Sequence, residues 1–221
     1  MKLRFFLLTI IFSLADLIQA QNDSYSLKYR EDQFYISFSM IFQKESIDSF
    51  KQNGFSNNFQ IGFLRDVPLN KKGGMAIALG LGYGFDKIFS NLNLDNDERG
   101  KLSFSILNNN QNIQKVSSLI FPFEFRLRTS TLNKTDFWRL YGGLKYKINL
   151  NAQFKSFTGG NFKDNFIRNR NKAVYLSLGY NTWNILVEFD LDSIYDQNIF
   201  MKNHFNTEIR LIKIGLIFYI L

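Results

Sequence analysis

Apolar and polar residues alternate along most of this chain with a period of two. The clearest stretch is Met75 to Phe85, MAIALGLGYGF. Ile77, Leu79, Leu81, Tyr83 and Phe85 share one parity, and Ala76, Ala78, Gly80, Gly82 and Gly84 share the other. Successive side chains of a strand point to opposite faces, so the segment predicts a strand with one greasy face and one nearly bare face. Small residues suit the crowded interior of a narrow barrel. The row from Ile77 to Phe85 is expected to face lipid, and the Ala/Gly row to line a tight lumen. The competing reading is a buried strand of a soluble barrel.

Seven further segments read as strands, six of them by the same rule. From Gln33, the residues Phe34, Ile36, Phe38, Met40 and Phe42 alternate with Tyr35, Ser37 and Ser39. From Asn58 to Asp66, Phe59, Ile61 and Phe63 oppose Gln60 and Gly62. In LIFPFEFRLR, Leu119, Phe121, Phe123, Phe125 and Leu127 oppose Ile120, Pro122, Glu124, Arg126 and Arg128. From Trp138 to Ile148, Leu140, Leu144, Tyr146 and Ile148 oppose Tyr141, Gly143, Lys145 and Lys147. In AVYLSLGY, Val174, Leu176, Leu178 and Tyr180 point outward. In NILVEFDL, Ile185, Val187, Phe189 and Leu191 oppose Glu188 and Asp190. The last segment, about Ile209 to Leu221, is apolar on both parities. Its inward set holds Lys213 and Gly215, but alternation alone does not fix its register. Pro122 cannot donate to a ladder, so a bulge or kink is expected there.

The connections run longer, short, long, short, long, short, longer. VPLNKKGG from Val67 is a tight turn, whereas Ser90–Val116 and Asn149–Lys172 are long and polar. LSFSIL, from Leu102 to Leu107, is placed to extend a hairpin beyond a membrane. Antiparallel barrels of bacterial outer membranes have short periplasmic turns, longer outer loops and an even strand count. The expected fold is all-β, an eight-stranded antiparallel transmembrane β-barrel in an up-and-down meander, spanning residues 33–221.

Composition narrows this picture. Phe contributes 25 residues and aromatics make 17% of the chain, yet mean hydropathy is only −0.16. High aromatic content without a membrane-length apolar run suits a barrel, where only alternate residues meet lipid. The absence of Cys excludes a disulfide scaffold, a thiolate metal site and a lipid-anchored Cys. Residues 1–20 read as a cleaved signal peptide, with Lys2 and Arg4 before the apolar run from Phe5 to Leu14. An uncleaved anchor is the other reading of that run. Residues 21–32 read as a short polar periplasmic tail. The formal charge of +8 contains no tight Lys/Arg run, which favours anionic lipid head groups over nucleic acid as the partner.

REDQFYISFSM from Arg30, GFLRDVPLNKK from Gly62, GLGYGF from Gly80 and FPFEFRLRTS from Phe121 resemble the small outer-membrane β-barrel proteins of Bacteroidetes, often labelled PorT-like or porin-family. FWRLYGGLK from Phe137 and KIGLIFYIL from Lys213 fit as well. The resemblance implies an eight-stranded barrel in the outer membrane. One member of that family is needed for type IX secretion. Barrel chains often end on an aromatic residue, whereas this one ends Tyr219, Ile220, Leu221.

Candidate chemistry is confined to the inward charges Glu124, Arg126, Arg128, Lys145, Lys147, Glu188, Asp190 and Lys213. They read as a structural plug or as a polar conduit. An interior of eight strands is just wide enough for side chains to fill it, and buried charges must pair. The lipid-facing set is Phe34, Ile36, Phe38, Ile77, Leu79, Leu81, Phe121, Phe123, Phe125, Val187 and Phe189. Trp138, Trp183, Tyr180 and Tyr219 are expected at the membrane interface. His204 has no triad partner at a motif spacing, and Asp95 to Glu98 lacks the ligand periodicity of a calcium loop. No enzyme, cofactor or metal is expected. The expected partners are outer-membrane lipid or lipopolysaccharide and an envelope protein complex. The function expected is structural or interaction through the outer loops. A narrow pore, and a soluble barrel binding an apolar ligand, are the alternatives.

Overall fold

A computed structural model describes residues 32–44, 50–52, 54–70, 73–96, 102–107, 112–129, 138–156, 160–163, 166–196 and 208–220. The expected signal peptide, all of the tail but Asp32, and His204 lie outside them.

Eleven strands are described: β1 (Gln33–Lys44), β2 (Asn57–Pro68), β3 (Met75–Ser90), β4 (Leu92–Asn96), β5 (Leu102–Ile106), β6 (Asn112–Arg128), β7 (Trp138–Lys155), β8 (Asn161–Lys163), β9 (Arg170–Tyr180), β10 (Trp183–Asp190) and β11 (Arg210–Ile220). Eight of them close a barrel. The order β6-β3-β2-β1-β11-β10-β9-β7 is joined back on itself by β6–β7, and every pairing is antiparallel. β8 adds to the outer end of β7, and β4 with β5 forms a separate two-stranded hairpin. Along the eight barrel strands a more exposed outward side chain alternates with a buried inward one, as the period of two requires.

The barrel is sheared. Phe125 pairs with Gly142, and the rung runs on through Leu176, Val187, Ile214, Met40, Asn57 and Lys87. It returns to β6 at Lys115, ten residues (125 − 115) from where it left. Such a stagger tilts the strands, and every rung climbs toward the long-loop end as it circles from β7 round to β6.

Tight turns match the local sequence. β9 and β10 are joined by Asn181 and Thr182 alone, and Asn181 takes a φ of 52°. Two-residue hairpins need positive φ to match strand twist, and Asn tolerates it better than other non-Gly residues.

Two expectations change. The ladder between β3 and β6 is interrupted opposite Pro122, yet the register is the same on both sides, so there is no bulge there. The irregularity lies instead in β6–β7, where Ser117 pairs with Asn151 and Ser118 with Asn149, leaving Leu150 extra. The long loops are also more ordered than their polarity suggests. β3, β6 and β7 run for 16, 17 and 18 residues, well past the roughly 9–11 that cross a bilayer. Their outer ends stand beyond the apolar belt.

Candidate functional site

The inward side chains stack in three levels. At the short-turn end, Asp66 of β2 receives hydrogen bonds from Arg126 Nη1 and Arg128 Nη2, both at 2.9 Å. Arg126 Nε also donates to Glu124 Oε2 at 2.8 Å, and Arg128 Nε to the Gly73 carbonyl at 2.6 Å. Arg139 closes this end by donating to the Asn181 carbonyl.

A tyrosine layer follows. Tyr175 donates its hydroxyl to Glu124 Oε1 at 2.6 Å. The Arg126 guanidinium lies 4.8 Å from the Tyr141 ring centroid, and Tyr141 packs edge-on against Tyr219 at 5.2 Å. Tyr35 approaches so close to Gly62 and Gly82 that a Cβ at either position would collide with its ring or hydroxyl. Tyr35, Gly62 and Gly82 are successive members of one rung, so the missing side chains on β2 and β3 leave room for the Tyr35 ring to lie flat along the inner wall; at Gly84 the space is taken by Ile120 instead.

Above the tyrosines, Glu188 is the hub of a second network. Lys145 donates to it at 2.6 Å, Lys147 at 2.5 Å, and Lys213 stands 3.7 Å away. Lys147 also reaches Asp190 at 2.5 Å, and Lys213 reaches both oxygens of Asp86 at 2.9 Å. Gln60 accepts from Lys145 at 2.8 Å and donates to Asn58, which donates to Asp86. Glu188, Lys145, Lys147 and Lys213 are all buried.

At the long-loop end the interior turns apolar. Ile41, Phe50, Ile88, Leu92, Leu94, Val116, Ala152, Phe154, Phe166, Ile167, Ile194, Tyr195, Ile209 and Leu211 form one buried cluster. It draws on strand ends and on the long connections alike. The Tyr195 hydroxyl donates to Gln114 Oε1 at 2.6 Å, and burial pushes its pKa well above the usual tyrosine value. Phe154 and Phe166 meet edge-on at 5.7 Å.

The structure buries all eight of the anticipated inward charges but divides them, with Glu124, Arg126 and Arg128 in the lower network and Lys145, Lys147, Glu188, Asp190 and Lys213 in the upper one. It adds two that sequence reasoning missed, Asp66 and Asp86, and a third basic group at the rim, Arg139. Asp66 shares the parity of Gln60 and Gly62, and Asp86 that of Gly80, Gly82 and Gly84. Parity could have found both: Asp66 closes the segment read from Asn58, and Asp86 lies one residue past the stretch that ends at Phe85. With them, Asp66, Asp86, Glu124, Glu188 and Asp190 balance Arg126, Arg128, Lys145, Lys147 and Lys213.

On the outer wall, Phe34, Phe38, Leu79, Leu81, Phe121, Phe123, Phe125 and Phe189 are exposed, while Ile36, Ile77 and Val187 are half-buried between neighbours. Trp138, Trp183 and Tyr180 lie outward at the short-turn rim, with Trp138 and Tyr180 edge-on at 5.5 Å. Tyr219 does not join them. It is 2% exposed and sits in the lumen, paired across the ladder with Tyr35. The register of β11, which puts Lys213 inside, puts Tyr219 inside too, because the two are six residues apart and share parity. The side chains of Asp95 to Glu98 lie outside the described residues.

A family model described as "Outer membrane protein beta-barrel domain" matches residues 19–212. The chain belongs to that family. It is a small outer-membrane β-barrel protein. No curated protein matches its sequence. Among solved structures, the crystal structure of Ail, the attachment invasion locus protein of Yersinia pestis, aligns at 13% identity with a TM-score of 0.37, over 86% of this chain and 97% of that one. Ail in complex with the heparin analogue sucrose octasulfate aligns at 14% identity and 0.37, over 86% and 99%. Likeness at this level decides nothing about role. The fold stands on the closed ladder and the family match. In an outer-membrane barrel the exposed apolar belt is the expected wall, since lipid covers it.

Proposed function

We propose that this outer-membrane barrel is plugged, and that it acts as a structural or interaction protein through its outer end rather than by conducting solute. Short turns in such barrels are periplasmic, so the long-loop end faces the exterior. The observation that carries the reading is the filled lumen. Two ion networks and a tyrosine layer occupy the belt, and an apolar cluster caps them. Water and ions have poor access through a packed, largely apolar cap, and paired buried charges resist separation. The outward row from Phe34 to Phe189 is the lipid contact, and Trp138, Trp183 and Tyr180 anchor the periplasmic interface.

The resemblance to PorT-like barrels supports a finer reading. The outer end would then serve as an accessory surface of an envelope or secretion complex. Planar-bilayer recording of the purified full chain tests the plug. A flat trace is expected, and a steady open channel would overturn it.

A further inference from the structure

Lys87 on β3 and Lys115 on β6 pair directly across the ladder, and both point outward. Like charges directly opposite each other destabilise an antiparallel pair. Among the described residues, no carboxylate pairs with either; Lys87 only lies 4.8 Å from the Phe89 ring centroid. The contrast is with the other like-charged rung at this end, Lys44 opposite Arg210, where Glu208 accepts from Arg210 at 2.6 Å. Among the described residues, one rung carries its counter-ion and the other does not.

Height narrows what the missing counter-ion is. The outward neighbours one step toward the periplasm are Phe85 and Ser117, and next to them Tyr83 and Leu119, the upper edge of the apolar belt. Lys87 and Lys115 therefore stand where hydrocarbon gives way to head groups. The same rung continues through Gln153 to Lys163, with Lys155 beside it. Because rungs climb in that direction, Lys155 and Lys163 lie further from the membrane.

We infer that Lys87 and Lys115 form a site for a phosphate group on an outer-leaflet glycolipid, bound where the belt ends. An ammonium pair separated by one ladder spacing suits a dianionic phosphate, and each lysine near an anionic surface contributes roughly fivefold in binding. The inference rests on the outward-facing orientation proposed above.

The test titrates the full chain, refolded in a non-ionic maltoside detergent, with lipid A as the phosphorylated glycolipid. Wild type is expected to bind, and the K87Q/K115Q variant to lose roughly 30-fold in affinity. K155Q/K163Q should lose much less. In detergent without lipid A, K87Q/K115Q should unfold at the same temperature as wild type or higher, since the repulsion is gone, which separates lost binding from lost folding. Retained affinity in K87Q/K115Q overturns the site. Equal binding of dephosphorylated lipid A overturns the phosphate, and equal stabilisation by free inorganic phosphate overturns the membrane lipid. If Arg65→Gln, at the opposite rim, abolishes binding while K87Q/K115Q keeps it, the orientation is what failed. Flat bilayer traces are indifferent to all of these results, so the plug is judged separately.

Discussion

The belt of the barrel and its outer extension are the same strands with their polarity reversed. Within the belt, β6 turns Phe121, Phe123 and Phe125 outward and Glu124 and Arg126 inward. A few residues further along the same strand, Lys115 points outward and Val116 inward. β7 repeats the change, from Leu144 outside and Lys145 inside to Gln153 outside and Phe154 inside. The switch coincides with the extra residue Leu150. The solvent on the outer wall decides the sign. Where lipid covers it, apolar groups go out and charges must satisfy one another within. Where water covers it, the ordinary hydrophobic arrangement returns. One chain therefore holds two cores of opposite character, joined end to end.

The sharpest way to break the comparison is at Glu188. Truncating it leaves Lys145, Lys147 and Lys213 without their shared partner, and removing one member of a buried ion cluster costs about 3–5 kcal/mol. Glu188→Ala is expected to abolish resistance of the unheated barrel to denaturing detergent on a gel. Phe154→Ala, in the apolar cap, costs a similar amount, about 3–5 kcal/mol, but locally. Hydrogen exchange should quicken in the outer ends of β6 and β7 and stay unchanged in the belt. If both halves exchanged faster together, the two cores would be one cooperative unit. Phe123→Arg should cost roughly 2–4 kcal/mol and hinder assembly, being a charge on the wall that faces lipid. The smallest effect belongs to Gln153→Glu, a charge on the water-covered wall between Lys115 and Lys163, expected within about 0.5 kcal/mol in urea unfolding. A penalty at Gln153 equal to that at Phe123 would place the belt's upper edge further out.

The belt was legible in the sequence because its alternation is strong and its turns are short. Phe34 to Phe42, Ile77 to Phe85 and Phe121 to Leu127 read as outward rows directly. The extension was not legible, because Ile88, Val116 and Phe154 are scattered among Asn, Gln and Lys in segments with the composition of loops. Their partners, Phe166, Ile194 and Tyr195, arrive from other connections far along the chain. Asp66 and Asp86 were missed for a smaller reason: each lies where the apolar alternation read from the sequence stops, although β2 and β3 themselves continue to Pro68 and Ser90. Tyr219 was misplaced because β11 is apolar on both faces, so a terminal tyrosine looked like an anchor. Pairing with β1, which only the folded chain supplies, decides its side.

The interior charges also answer a question that alternation leaves open. A strand that slips by two residues keeps its greasy face outward, so lipid cannot detect the error. The ion clusters can. Were β11 to slip by two against β10, Leu211 or Gly215 would replace Lys213 beside Glu188 and Asp86. Two carboxylates would then lose their lysine. Lys213→Met, which removes the check but keeps the pattern, is expected to give several folded bands on an unheated gel instead of one. The salt bridges of the lumen thus act less as glue than as a key whose teeth admit a single closure of the barrel.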